Sequence, residues 1–195
     1  MTYLRSVLAA LALAIAATVS FSQAAYAQAS GVMIIDEGHI LTTSKAGKDM
    51  FTKLKNIETQ INNELKAPAD ALNAQRTALA AKLEGKTREA VAADAALVKQ
   101  VEDFQKKANE FAQKRSVLAQ EYSATEQKAF VDFNKALEPV LLEVVKEKNI
   151  QVLLSRSQVV FSADAVDASD AIIAKLDQKT PAISVVRQRA PAQTN

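Results

Sequence analysis

His39 is the one histidine in 195 residues, and cysteine is absent. Asp36 and Glu37 lie three and two positions before it. An imidazole beside carboxylates is the raw material of general acid–base chemistry, but only when a cleft holds the groups against a substrate. Nothing in the spacing builds such a cleft. A zinc centre needs three or four His, Cys or carboxylate ligands, and a Ser-His-Asp triad would have to be built on His39 alone. The phosphate-cradling pattern G-x-x-x-x-G-K-[ST] is missing. The sequence therefore predicts no catalytic residue, no metal ligand and no cofactor. His39 is expected to be a surface or interface side chain. A net charge of +2 gives no ground for nucleic-acid binding.

The elements that position these residues are mostly helical. Glycine and proline number four each, too few for a loop-rich or all-β chain. Residues 1–27 read as a secretory signal: Arg5 near the start, an apolar run from Val7 to Val19, then Ala25-Tyr26-Ala27. Cleavage is expected after Ala27, with an uncleaved anchor as the alternative. A run of 13 apolar residues is short for a bilayer-spanning helix. A cysteine-free exported protein is consistent with the periplasm.

From 45 to 148 apolar residues recur at helical spacing. Phe51, Leu54, Ile57, Ile61, Leu65, Leu72, Leu79 and Leu83 form one stripe. In a second stripe, Leu97, Phe104, Phe111 and Leu118 are each seven apart. Val101, Ala108 and Tyr122 add partners four residues on, and Arg115 interrupts that series. The stripes are narrow, as in a coiled coil. One continuous helix would be about 150 Å long, whereas an antiparallel hairpin lets each stripe cover the other in arms of roughly 60–80 Å. The turn is expected between 84 and 97, with Gly85 the only glycine nearby. Pro68 and Pro139 should bend or interrupt their helices.

The ends have β character. Val32 to Asp36 reads as a strand, and Thr43 or Ser44 as the cap of the following helix. Asn149–Ser155 and Gln158–Ser162 read as two strands joined by Arg156-Ser157, a candidate hairpin. Ser169 is the expected cap of a helix running to about Gln178, with Ile172, Ile173 and Leu176 on one face. Pro181 stops it, Ala182–Arg187 is a candidate final strand, and 188–195 an expected disordered tail. The predicted fold is α+β: a small β body from residues 31–44 and 149–187, and a helical arm from 45–148. A body this small is marginal alone, and oligomerisation is a usual remedy.

This architecture resembles the OmpH/Skp family of periplasmic chaperones, over residues 28–187. At the N-terminal end the resemblance rests on Ile34-Ile35-Asp36, Ile40-Leu41 and Ser44-x-Ala46-Gly47-Lys48. At the C-terminal end it rests on Leu137-Glu138-Pro139-Val140, Val152-Leu153-Leu154, Val159-Val160-Phe161, Asp167-x-Ser169 and Leu176-Asp177. Where the family has D-I-T, this chain has Asp167-Ala168-Ser169, which keeps the capping oxygen and loses an apolar contact.

The resemblance implies a homotrimer whose three helical hairpins surround a cavity. That cavity holds unfolded outer-membrane proteins on their way to the outer membrane, without ATP. Val32, Ile34, Val152, Leu154, Val159 and Phe161 are then the candidate body and trimer core. Leu72, Leu79, Leu83, Val91, Leu97 and Phe104 are candidate client contacts toward the tip. The same residues are expected to pack the two helices together. Lys82, Lys86 and Arg88 form a charged tip for acidic clients or transient contact with anionic lipid headgroups, or simply a solvated surface shared with Glu84 and Glu89. The rival reading is a structural coiled-coil spacer of the envelope. Its regular heptad is contradicted by Arg115 on the seam, Pro68 in the arm and strands at both ends.

Overall fold

The computed structural model describes residues 31–190. The expected signal peptide, its cleavage after Ala27 and the tail beyond Ala190 lie outside the described residues. The chain enters through β1 (Val32–Ile35), a β-branched run whose last two residues are buried. Asp36 closes the strand and caps α1 (Glu37–Thr43), its carboxylate accepting the His39 amide at 2.8 Å. The sequence marks only the cap of the next helix, at Thr43 or Ser44; the separate short helix α1 precedes it. Ser44 caps α2 (Lys45–Leu83), accepting the Gly47 amide at 3.2 Å. The corner between α1 and α2 requires Gly47: a Cβ there would lie 1.7 Å from the Leu41 carbonyl oxygen.

Two long helices form the arm. α2 has 39 residues and runs through Pro68 without interruption. Proline has no N–H, so the carbonyl of Glu64 loses its helical donor. Lys114 of the opposite arm donates to that oxygen at 3.3 Å. The tip falls where glycine permits it, with Gly85 at φ +70°. Thr87 then caps a short helix, α3 (Arg88–Ala93). Asp94 caps α4 (Ala95–Glu147), which has 53 residues and continues through Pro139. Asn149 follows in the left-handed conformation (φ 51°), and the Ile150 amide closes onto the Val145 carbonyl at 2.9 Å.

β2 (Val152–Ser155) pairs with β1 in parallel, Val32 opposite Val152 and Ile35 opposite Ser155. The whole hairpin is thus the crossover that parallel pairing demands. This corrects the expected hairpin between 149–155 and 158–162. Arg156–Gln158 is a 3-10 turn, and no strand follows it among the described residues. Arg156-Ser157 lacks the Gly or Asn that a two-residue hairpin turn favours, and β2 has found its partner at the other end of the chain. Val160 and Phe161 are exposed (107% and 84%).

The last helix, α5, spans Ser169–Lys179. Ser169 is its first residue rather than its cap. Its hydroxyl instead accepts the Asp36 amide at 2.8 Å, tying α5 to the end of β1. Asp167 takes the capping role, accepting the Ser169 amide at 2.8 Å. The core is built mainly from helices: Ile40, Met50, Phe133, Val140, Ile172 and Leu176 are all nearly inaccessible. The body therefore holds only a two-stranded sheet, with α1, α5 and the roots of α2 and α4 supplying most of its apolar packing.

Beyond α5 the expected strand 182–187 has no ladder partner among the described residues. The segment lies instead across the root of the arm. Ile183 is buried, Val185 half-buried and Arg187 mostly covered, while Ser184 and Val186 face outward. This two-residue alternation is that of a strand, but the binding surface is helical. Residues 188–190, expected in the tail, are hydrogen-bonded in place.

Candidate functional site

The arm presents a groove along one side of the α2–α4 seam. Leu72 of α2 and Phe111 of α4 form the floor of one stretch, about 320 Å³ in volume, which Pro68, Gln75, Lys107 and Lys114 help to line. The next stretch toward the tip, about 290 Å³, has Leu79 and Phe104 at its floor and Lys82 and Asp103 at its rim. Leu72, Leu79 and Phe104 are therefore brought to one surface. Each is half-buried, in contact with the facing helix and still accessible from outside. Leu83 and Val91 are also half-buried, nearer the tip, and Leu97 is buried (3%), a packing residue of the turn. Phe111 belongs with the floor and was absent from the candidate contacts, although its spacing of seven from Phe104 was a signal for it.

The tip charges are spread rather than clustered. Lys82 donates to Gln100 across the seam at 2.7 Å. Lys86 approaches Asp94 at 3.9 Å, and Arg88 is exposed in the first turn of α3. Exposed pairs of this kind contribute little to stability.

At the root of the arm lies a second charged assembly that the sequence did not reveal. Arg187 donates through Nε (2.9 Å) and Nη2 (2.7 Å) to Glu121 of α4, and through Nη1 and Nη2 to Glu64 of α2. Glu121 also accepts the Ala190 amide at 3.0 Å, and Thr125 accepts the Gln188 amide at 2.8 Å. Burial alone would raise the Glu121 pKa, but the Ala190 amide and the Arg187 guanidinium outweigh it and hold the carboxyl below the usual range. The Arg187 hydrogen bonds hold Glu64 low as well. Further down, Asp49 accepts the Ile183 amide at 2.9 Å, and Lys53 donates to the Ile183 carbonyl at 2.8 Å. Residues 181–190 thus form a strap bound to both arms.

Of the candidate body residues, Ile34 is buried inside one copy (3%), and Leu154 and Val159 are half-buried. Val32 and Val152, paired across the sheet, remain 41% and 45% exposed, and Phe161 projects into solvent.

His39 sits at the surface of the body. Its Nε2 is 3.2 Å from Asp170 and its Nδ1 3.2 Å from the Thr43 hydroxyl. The neighbouring carboxylates are committed to capping: Asp36 to the His39 amide and Asp167 to the Ser169 amide. Burial would raise the Asp167 pKa, but hydrogen bonds from Ser169 and the charge of Arg156 hold it low. Its carboxyl is therefore ionised and serves as an acceptor. Among the described residues no group of three or more His, Asp or Glu is spaced to hold a metal ion, and no helix is long and apolar enough to cross a membrane.

Comparison with known proteins adds two positive findings. The family described as outer membrane protein (OmpH-like) matches residues 31–176. A solved structure from Caulobacter crescentus CB15, of a candidate outer membrane chaperone (OmpH-like), is similar at 31% identity and a TM-score of 0.72. The similarity covers 84% of this chain and 93% of that one. No curated protein matches.

Proposed function

The chain belongs to the OmpH-like outer membrane protein family, and from that premise we propose that it is an ATP-independent periplasmic holdase for unfolded outer-membrane proteins. The carrying observation is the groove of half-buried Leu72, Leu79, Phe104 and Phe111 along the α2–α4 seam. An unfolded barrel protein exposes apolar side chains and unpaired strand edges, which aggregate in water. A holdase must cover them by many weak contacts that release easily. Burial of apolar surface supplies about 25 cal/mol per Å² before ordering costs, and it has no directional requirement. Half-buried residues fit that role. Each contributes part of its area to the seam and keeps part for a client.

The chain works as a homotrimer in this reading. Val32, Val152 and Phe161, left open on one copy, supply the apolar surface that a second copy covers, and Leu154, Val159 and Ile34 back it from within. Three arms then enclose the client. Lys82, Lys86 and Arg88 at the tips make transient contact with acidic client segments or anionic headgroups.

Light scattering tests the proposal. An outer-membrane barrel protein diluted from urea should scatter progressively less as the chain is added, without ATP, with suppression complete near one trimer per client. Scattering unchanged from that with an inert helical protein would contradict it and favour the spacer reading.

A further inference from the structure

The strap and the open groove lie on the same face of the hairpin. On α4, Phe104, Phe111, Leu118 and Thr125 are each seven apart, and so are Gln100, Lys107, Lys114 and Glu121. Seven residues are nearly two turns, so each series runs along one face. The distal members of both series line the open groove. Glu121 and Thr125 bind the strap. On α2, Ile61, Pro68, Gln75 and Lys82 repeat the arrangement. Val185 of the strap packs on the cluster of Ile57, Ile61 and Leu118, and Pro68, Gln75 and Lys82 line the open part.

We propose that this face is a track for extended polypeptide: its root is filled by the chain's own residues 181–190, and its distal stretch takes an extended client segment with apolar side chains at every second position. The inference rests on the holdase reading and specifies where and in what conformation the client lies. The strap supplies the template. Ile183, Val185 and Arg187 point into the root while the residues between them face out. The strap lies beyond the family-matched residues 31–176 and is seated on the track by its own side chains and amides. A transmembrane β-strand has the same period, with apolar residues on alternate positions over about 9–11 residues. The open stretch from Pro68 to Lys82 is about 20 Å long at the helical rise, which accommodates roughly six extended residues. Its rim is charge-mixed, with Lys107 and Lys114 beside Asp103 and Glu110, so the track selects by pattern rather than by charge.

The test places a photo-crosslinking benzoylphenylalanine at Phe111, at Leu72, or at Gln105 on the opposite side of α4, in the full chain. The probes are two peptides of identical composition, one alternating apolar and polar residues, one with the apolar residues in a block. The alternating peptide should crosslink several-fold more at Phe111 and Leu72 than at Gln105, and several-fold more than the blocked peptide. Dislodging the strap with Val185→Asp and Arg187→Glu, in protein that keeps its helical circular dichroism, should make a fourth benzoylphenylalanine, placed at Leu118, crosslink the alternating peptide. Equal yields at Gln105, or no preference between the peptides, would overturn the track. If aggregation is still suppressed in that case, the holdase reading survives and only the track fails. If suppression is lost as well, both fail.

Discussion

Arg187 joins segments far apart in sequence: the strap, α2 through Glu64 and α4 through Glu121. Only the Glu121 side is well covered, with both side chains about one-tenth exposed. Removing Arg187 leaves Glu121 with its burial and without its cation. Arg187→Met should therefore lower unfolding stability by about 2 kcal/mol in a urea titration. Arg187→Lys should recover only part, since an ammonium lacks the planar guanidinium that meets Glu121 through both Nε and Nη2 while also reaching Glu64. The same cluster sets a pH dependence. The folded-state pKa of Glu121 is held below its ordinary value of 4.5. Its contribution is fully present above that value and is lost as pH falls through the lowered one. Stability followed by circular dichroism should fall on acidification below about 4.5, and less steeply in Glu121→Gln. Glu64 shifts in the same direction but is largely solvated, so its share is smaller.

At the scale of elements, two glycines make predictions of different size. Gly47→Ala would drive a methyl into the Leu41 carbonyl at the α1–α2 corner, a backbone atom that cannot swing aside. A loss of about 3 kcal/mol or more is expected in thermal unfolding. Gly85→Ala at the tip meets no atom within 4 Å and is strained only by its positive φ, so the cost should be about 1 kcal/mol. The arm was the most legible part of the sequence. Residues seven apart along a helix must share a face, and a glycine between two such series marks the turn. The body was less legible because its partners are remote. β2 reads as half of a local hairpin until β1, 120 positions earlier in register, is known to pair with it. Ser169 looked like a cap because its hydroxyl can serve nearby amides, yet it serves Asp36. The strap's alternation was visible in Ile183, Val185 and Arg187. Alternation alone does not distinguish a sheet edge from a helical groove, and the charges that hold it, Glu64 and Glu121, lie in the middle of long helices.

The whole molecule separates a tightly packed root from a loosely covered arm. Fully buried side chains such as Ile40, Met50, Val140 and Leu176 belong to the root. Toward the tip the seam residues are mostly half-buried, which is where client contact is proposed. If three copies assemble through the exposed side of the body, Phe161→Asp should shift sedimentation from trimer to monomer, while helical circular dichroism stays unchanged because Phe161 is exposed in the single copy. An unshifted trimer would move the interface elsewhere. The central claim, binding of an unfolded outer-membrane protein without ATP, has a direct readout because this chain contains no tryptophan. Tryptophan emission from an unfolded barrel protein can be titrated with the chain, free of background. The account predicts a blue shift that saturates near three chains per client in the absence of ATP. An emission spectrum that does not move with added chain, while the client goes on to aggregate, would contradict it.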